Sequence, residues 1–211
     1  MKIGILGGTF NPPHLAHLRL GEEVATSYGL TRVIFMPCHI PPHKISVDIA
    51  PAADRFHMTS LACENNHLFE VSDMEIAASG PSYTVDTLEA FSKRKDFEIF
   101  FLLGTDSLKE ISAWKDYPKL FSLANFIVVT RPGLDFQAAW SEVPVGLKKE
   151  FHFEAGDLIH ESSRRLIPST VQGLDISATM VRNLLREGKS VRYLVTESVR
   201  SYIIERKLYR K

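Results

Sequence analysis

Short apolar runs rich in β-branched and aromatic residues recur along the first 130 positions: Ile3-Leu6, Val33-Met36, Phe69-Ser72, Glu98-Leu103 and Phe126-Thr130. None alternates cleanly between apolar and polar, as expected of strands covered on both faces. Between them lie longer stretches with helical spacing of apolar residues: Leu15-Ser27, Ala53-Asn65, Thr84-Lys95, and Leu108-Ser112 continuing through Pro118-Leu123. The alternation predicts right-handed crossovers and an α/β, Rossmann-like, doubly wound and mainly parallel sheet with helices on both faces. Ligand chemistry in such a fold gathers at the carboxyl ends of the strands.

The tail follows another pattern. Asp175-Gly188 and Glu197-Leu208 read as helices with no strand between them. They predict a small C-terminal helical part over residues 175–211 of a single domain, 1–211. The preceding region, Gly133 to Gly173, has weak periodicity, and Leu158-His160 and Arg165-Ile167 are expected to add one or two edge strands. A chain of 211 residues can bury a core without staples. Its 25 basic residues balance 25 acidic ones, which excludes a nucleic-acid or membrane partner held by overall charge. A small anion needs only a local cluster. Cys38 and Cys63 form no CxxC pair, the first apolar run is too short for a secretory signal, and no apolar span approaches the roughly 20 residues of a membrane helix. A reduced, cytoplasmic chain is expected, its oligomeric state left open between monomer and homo-oligomer.

Candidate chemistry begins at the end of the first strand, where Gly7-Gly8-Thr9-Phe10-Asn11-Pro12-Pro13 leads into a helix opened by His14. Glycines at such a turn let backbone amides approach a phosphate, and the helix end adds its positive dipole. A tight turn with no ligand would use the same residues. The glycines at 4, 7 and 8 make neither the dinucleotide GxGxxG nor a Walker motif. His14 and His17, three apart, share one helical face in the first turn, where each ring can donate to phosphate oxygens. Zinc on a helix usually takes i, i+4 spacing and a third ligand, so phosphate is expected here ahead of metal.

The segment Gly7 to His17, read as GGTFNPPHLAH, resembles the GGTF[DN]PxHxGH signature of the nucleotidylyltransferases. Near the other end, Ile176-Ser177-Ala178-Thr179-Met180-Val181-Arg182 is similar to the superfamily's ISxTxxR motif. Alone, that second motif would read as a capped surface helix: Ser177 suits an N-cap, the helix end draws anions, and Arg182 can pair with phosphate. The intervening segments resemble the nicotinate-nucleotide adenylyltransferase family. Pro41-Pro42-His43-Lys44 follows the second strand; Pro81 to Leu88 matches PSYTxxTL; Gly104 to Leu108 matches GxDSL; Trp114 and Arg131-Pro132-Gly133 fall in place. The likeness covers almost the whole chain.

The resemblance implies transfer of AMP from ATP to nicotinate mononucleotide. It assigns ATP to Gly7, Gly8, Thr9, Phe10, His14, His17, Gly104, Asp106, Ile176, Ser177, Thr179 and Arg182. It assigns nicotinate mononucleotide to Thr9, Asn11, Lys44, Tyr83, Thr84, Trp114 and Arg131, and the transfer itself to His14, His17, Lys44 and Arg182. Magnesium would arrive with ATP, and no resident metal or other cofactor is implied.

Plainer roles stand beside these. Lys44 places a mobile charge over the triphosphate or is solvated; Trp114 stacks on a pyridinium or packs. Asp106 accepts from ribose hydroxyls or caps a helix; Thr84 offers its amide and hydroxyl to the nicotinate carboxylate or caps; Arg131 lines the pocket or belongs to a loop. Two positions depart from the commoner pattern: Ala16 replaces glycine, which adds a methyl beside the nucleotide, and Asn11 replaces aspartate. Rival readings are a phosphopantetheine adenylyltransferase, against which His14 and the PSYT segment count, and an adenylyltransferase for nicotinamide mononucleotide. A binding module without turnover would be marked by loss of His14, His17 or Arg182, and all three are present.

Overall fold

Five expected strands form within two residues of their predicted ends: β1 (Lys2–Gly8), β2 (Arg32–Pro37), β3 (Phe69–Val71), β4 (Glu98–Gly104) and β5 (Asn125–Thr130). The structure is a computed structural model that describes residues 1–40, 49–78, 80–94, 96–130 and 135–210. All five strands are parallel, and with three more they build one sheet in the order β3-β2-β1-β4-β5-β8-β7-β6. The doubly wound expectation holds. Two of the last strands, however, correct the predicted edge. β8 (Arg165–Thr170) lies inside the sheet, parallel to β5 and antiparallel to β7 (Asp157–His160). The edge is β6 (Phe151–Glu154), too short and too exposed to show a pattern in sequence.

Side chains alternate across the sheet into two cores. Ile3, Ile5, Ile34, Met36, Phe101 and Phe126 face one side, under α4 (Thr84–Ser92) and α6 (Tyr117–Leu123). Leu6, Val33, Phe35, Phe100, Leu102 and Ile127 face the other, where Val24 and Ala25 of α1 (Leu15–Tyr28) and Cys63 of α2 (Ala52–Cys63) cover them. At about 1.5–3 kcal/mol per buried large side chain, these layers dominate the fold's stability.

The long helix expected from Leu108 to Leu123 is divided into α5 (Thr105–Lys109), a 3-10 turn (Ile111–Ala113) and α6. Trp114 is extended and Asp116 left-handed at φ 48°, and Pro118 then sits in the first turn of α6, where its missing N–H costs nothing. α3 (Met74–Ala77), α7 (Phe136–Glu142) and α8 (Val145–Lys148) are short helices that carry no periodic signal. In the tail, α9 (Ala178–Arg186) and α10 (Glu197–Glu205) pack through Val181, Leu185, Val199 and Ile203 onto Met58 of α2, a third cluster. The tail also reaches the first motif, where the Leu15 N–H donates to the Leu194 carbonyl at 2.9 Å. No helix among the described residues is long and apolar enough to cross a membrane.

Candidate active site

From β1 the chain lays strands first towards β3, then returns to place β4 on the other flank of β1. The turns leaving the carboxyl ends of β1 and β4 therefore diverge, which opens a crevice at this switch point. The turn after β1 is tight. A Cβ on Gly8 would meet the Phe10 ring at 3.2 Å, and Phe10 itself holds a left-handed φ of 46°. That conformation is costly for a large side chain. Burial of the ring stabilises it, with Phe35 at 5.8 Å and His17 at 5.0 Å between centroids. Phe10 thus sits beneath the turn in the core, and its side chain lines neither cleft described below.

His14 is the N-cap of α1 and His17 its third residue. The His14 N–H donates to His17 Nδ1 at 3.2 Å. In a neutral imidazole an accepting Nδ1 puts the hydrogen on Nε2, so His17 is set as a donor at its far nitrogen. The two rings stack at 3.7 Å. Both line a cleft with Ala16, Leu20, Gly104, Val129, Val171 and Leu174, whose apolar walls suit a flat base. Ala16 is therefore where its methyl can touch such a base.

The second motif arrives on α9. The Ser177 Oγ accepts from the Met180 N–H at 3.1 Å, the cap predicted for it. Arg182 Nη1 donates to the Asn11 carbonyl at 2.8 Å, joining positions 171 apart, and Nη2 donates to Thr179 Oγ1 at 3.3 Å. Arg182 Nε is buried and has no hydrogen-bond partner among the described residues. The guanidinium is thus tied to the turn that follows β1 through Nη1, with Nε unused. Ile176 is core, 7% exposed.

Asn11 serves as a joint. Its side-chain oxygen accepts from the Ala50 N–H at 3.0 Å and from the Tyr209 hydroxyl at 2.7 Å, which fastens the turn to the lead-in of α2 and to the tail. The exchange of aspartate for asparagine considered above falls on that joint.

A second cleft shares Leu6, Leu102, Leu103 and Gly104 with the first and lies on the other side of the Gly7–Thr9 turn. Its walls include Tyr83 and Thr84 at the amino end of α4, and Trp114. Trp114 stands edge-on to Phe101 at 6.4 Å, which fixes its indole at the cleft wall. Lys115 pairs with Asp86 at 3.0 Å and sits 4.8 Å from the Tyr83 ring. Glu75 also lines this cleft; burial raises its carboxyl above the ordinary 4.5, against the pull of the Thr87 and Ser82 hydroxyls.

Asp106 does not cap α5. Gly104 is the N-cap, and Asp106 stands exposed in the first turn, lining neither cleft. Lys44 and Arg131 lie outside the described residues. Sequence reasoning passed over Arg55, Glu75 and Lys115. A signal existed for Arg55 alone: it falls on the buried face of α2 with Met58, Thr59 and Cys63, where an arginine needs a reason.

A sequence model of the cytidylyltransferase-like family matches residues 5–184. A Geobacter sulfurreducens protein named "Probable nicotinate-nucleotide adenylyltransferase" is 42% identical over 212 residues, covering 99% of this chain and 98% of that protein. One of the same name from Desulfatibacillum aliphaticivorans is 42% identical over 220 residues, covering 99% of this chain and all of its own length. Among solved structures, a Plasmodium falciparum nicotinic acid mononucleotide adenylyltransferase complexed with NaAD has a TM-score of 0.76 at 19% identity, covering 99% of this chain and 97% of that one, which shows a shared fold. The chain belongs to the cytidylyltransferase-like family, in its nicotinate-nucleotide adenylyltransferase branch.

Proposed function

We propose that this chain transfers AMP from ATP to nicotinate mononucleotide, yielding nicotinate adenine dinucleotide and pyrophosphate, a step of NAD biosynthesis. The observation that carries the reading is the bond from Arg182 to the Asn11 carbonyl. It joins two motifs from opposite ends of the chain at one turn, with a cleft on each side.

In this reading adenine occupies the cleft of Ala16, Val129 and Leu174, and the pyridine ring lies against Trp114 with its carboxylate at the amides of Tyr83 and Thr84. The phosphates meet over Gly7–Thr9. The phosphate oxygen of the mononucleotide attacks the α-phosphorus of ATP as the bond to the β-phosphate oxygen breaks and pyrophosphate leaves with its electron pair. The attacking phosphate has a second pKa of about 6, so at neutral pH it is already largely ionised and needs no general base. What the side chains supply is alignment of two anions and donors aimed at the charge that develops on the α-phosphoryl group. His17 Nε2, His14 and the Arg182 guanidinium take that role, and Lys44 attends the leaving pyrophosphate. Asp106 serves the ribose by turning in from the rim, and Arg131 the pyridine side.

Magnesium enters with ATP as part of the substrate. Among the described residues no group of three or more histidine, cysteine, aspartate or glutamate side chains could hold a metal, and the imidazole of His17 is set to donate rather than to ligate.

The test is pyrophosphate release with ATP and each of three acceptors: nicotinate mononucleotide, nicotinamide mononucleotide and phosphopantetheine. Release with the first at the highest kcat/KM is expected. Preference for either other acceptor would replace the substrate assignment, and no release with any would leave a binding module.

A further inference from the structure

Arg55, in the first turn of α2, is 1% exposed, and no carboxylate among the described residues forms an ion pair with its guanidinium. Four backbone carbonyls surround it instead. Nε donates to Ala50 at 3.0 Å, Nη1 to Thr9 at 2.9 Å and Cys38 at 2.7 Å, and Nη2 to His39 at 2.7 Å. Thr9 belongs to the phosphate turn, Cys38 and His39 follow β2, and Ala50 precedes α2, so one planar fork ties three separate backbone segments. His39 and Ala50 flank residues 41–48, where Lys44 resides. Thr9 and Cys38 line the cleft that also holds Thr84 and Trp114.

The charge is as informative as the fork. No ion pair involving Arg55 occurs among the described residues. The neighbouring Asp54 is engaged elsewhere, accepting from the Tyr202 hydroxyl at 2.6 Å and lying 3.6 Å from Arg206. Carbonyl dipoles solvate a cation without cancelling its charge, and a buried charge lacking a counter-ion is costly. The field reaches the cleft wall: burial raises the Cys38 thiol, and Arg55 is the strongest influence opposing it. An anion seated over Thr9 would supply the missing counter-charge from outside.

We propose that Arg55 is a positioning residue for the transfer, fastening the Gly7–Thr9 turn to the chain that follows β2 and to the lead-in of α2 and holding behind the substrate phosphate a positive charge that no carboxylate among the described residues pairs with. It touches no substrate atom. The inference rests on the reaction proposed above, and its test is arranged to separate the two.

Two variants divide charge from geometry. Arg55→Met removes the charge at similar volume, and Arg55→Lys keeps a charge but cannot bond four carbonyls. Circular dichroism confirms folding, and affinities are then measured for nicotinate mononucleotide and for nicotinate riboside, which lacks the phosphate. Arg55→Met is expected to weaken the mononucleotide about tenfold or more and the riboside less than about threefold. Arg55→Lys is expected to keep more of the mononucleotide affinity than Arg55→Met while losing about tenfold in kcat, because the turn is no longer fastened.

Equal losses for the two ligands in Arg55→Met would mark a merely structural residue and overturn the proposal. So would an Arg55→Lys variant with wild-type kcat, which decides the matter if Arg55→Met does not fold. Failure of the wild-type protein to bind nicotinate mononucleotide would count against the reaction alone. Inorganic pyrophosphate then serves as the probe, and undiminished pyrophosphate affinity in Arg55→Met would overturn the role of Arg55.

Discussion

Replacing Arg182 by lysine separates the site's chemistry from its architecture. The guanidinium has two tied nitrogens, Nη1 on the Asn11 carbonyl and Nη2 on Thr179, while Nε remains buried without a partner among the described residues. A lysine ammonium is a single point donor and cannot hold Asn11 while also meeting a phosphate oxygen in a fixed fork. Loss of one internal hydrogen bond costs about 1 kcal/mol of stability. Against the roughly 5–15 kcal/mol that keeps a domain folded, this lowers Tm by only about 2–4 °C in a chain of this size. Loss of one donor to the transition state costs about 2.7–4 kcal/mol, or roughly 10²–10³ in kcat. The two effects differ enough to be told apart in one preparation. Thermal melting and steady-state pyrophosphate release, with ATP varied at saturating nicotinate mononucleotide, are the assays. A kcat for Arg182→Lys within about threefold of wild type would refute the assignment. So would a kcat loss matched by a collapse in Tm, because Arg182 would then be a structural tie only.

Three further substitutions probe other parts of the site. His17→Ala should lower kcat by about 10² while the KM for ATP changes far less, since a donor aimed at the α-phosphoryl group matters most in the transition state; equal changes in both would argue against that role. Trp114→Ala should weaken nicotinate mononucleotide by about 1–2 kcal/mol, roughly tenfold in calorimetry, and leave ATP unaffected; unchanged mononucleotide affinity would remove the indole from the site. Glu75→Gln tests the buried carboxyl. Burial raises its folded pKa above the ordinary 4.5, so the folded chain binds more protons and wild-type stability falls as pH rises from 4.5 through the raised value. The glutamine variant should therefore gain in Tm relative to wild type across that window, and a relative loss would show that the hydroxyls of Thr87 and Ser82 outweigh burial.

Much of this arrangement was legible in the residues because it is local. A strand such as Ile3-Leu6, buried on both faces, and an N-cap such as Ser177 have signatures a few positions long. The order of strand and helix then points to the carboxyl ends of β1 and β4 as the place for a ligand. What stayed hidden depends on distant partners. Asn11 reads as a candidate ligand, yet its oxygen is taken by Ala50 and Tyr209, the latter 198 positions away. Phe10 reads as part of a phosphate signature, yet its ring fills the space beneath Gly8. The 108–123 helix breaks at Asp116, whose left-handed backbone no apolar period records. Arg55 had only the anomaly of a cation on a buried face, and its four carbonyl partners come from three segments that approach one another only in the fold.

The measurement that bears most directly on the whole account is a crystal structure of the protein with nicotinate adenine dinucleotide. The pyridine ring should lie on Trp114 with its carboxylate at Tyr83 and Thr84, and the phosphates should lie over Gly7–Thr9 within about 3 Å of His17 Nε2 and Arg182. Adenine should fill the cleft beside Ala16 and Leu174. A dinucleotide bound with its two bases exchanged, or held away from this crevice in the hollow lined by Met1, Arg32 and Arg94, would contradict the account.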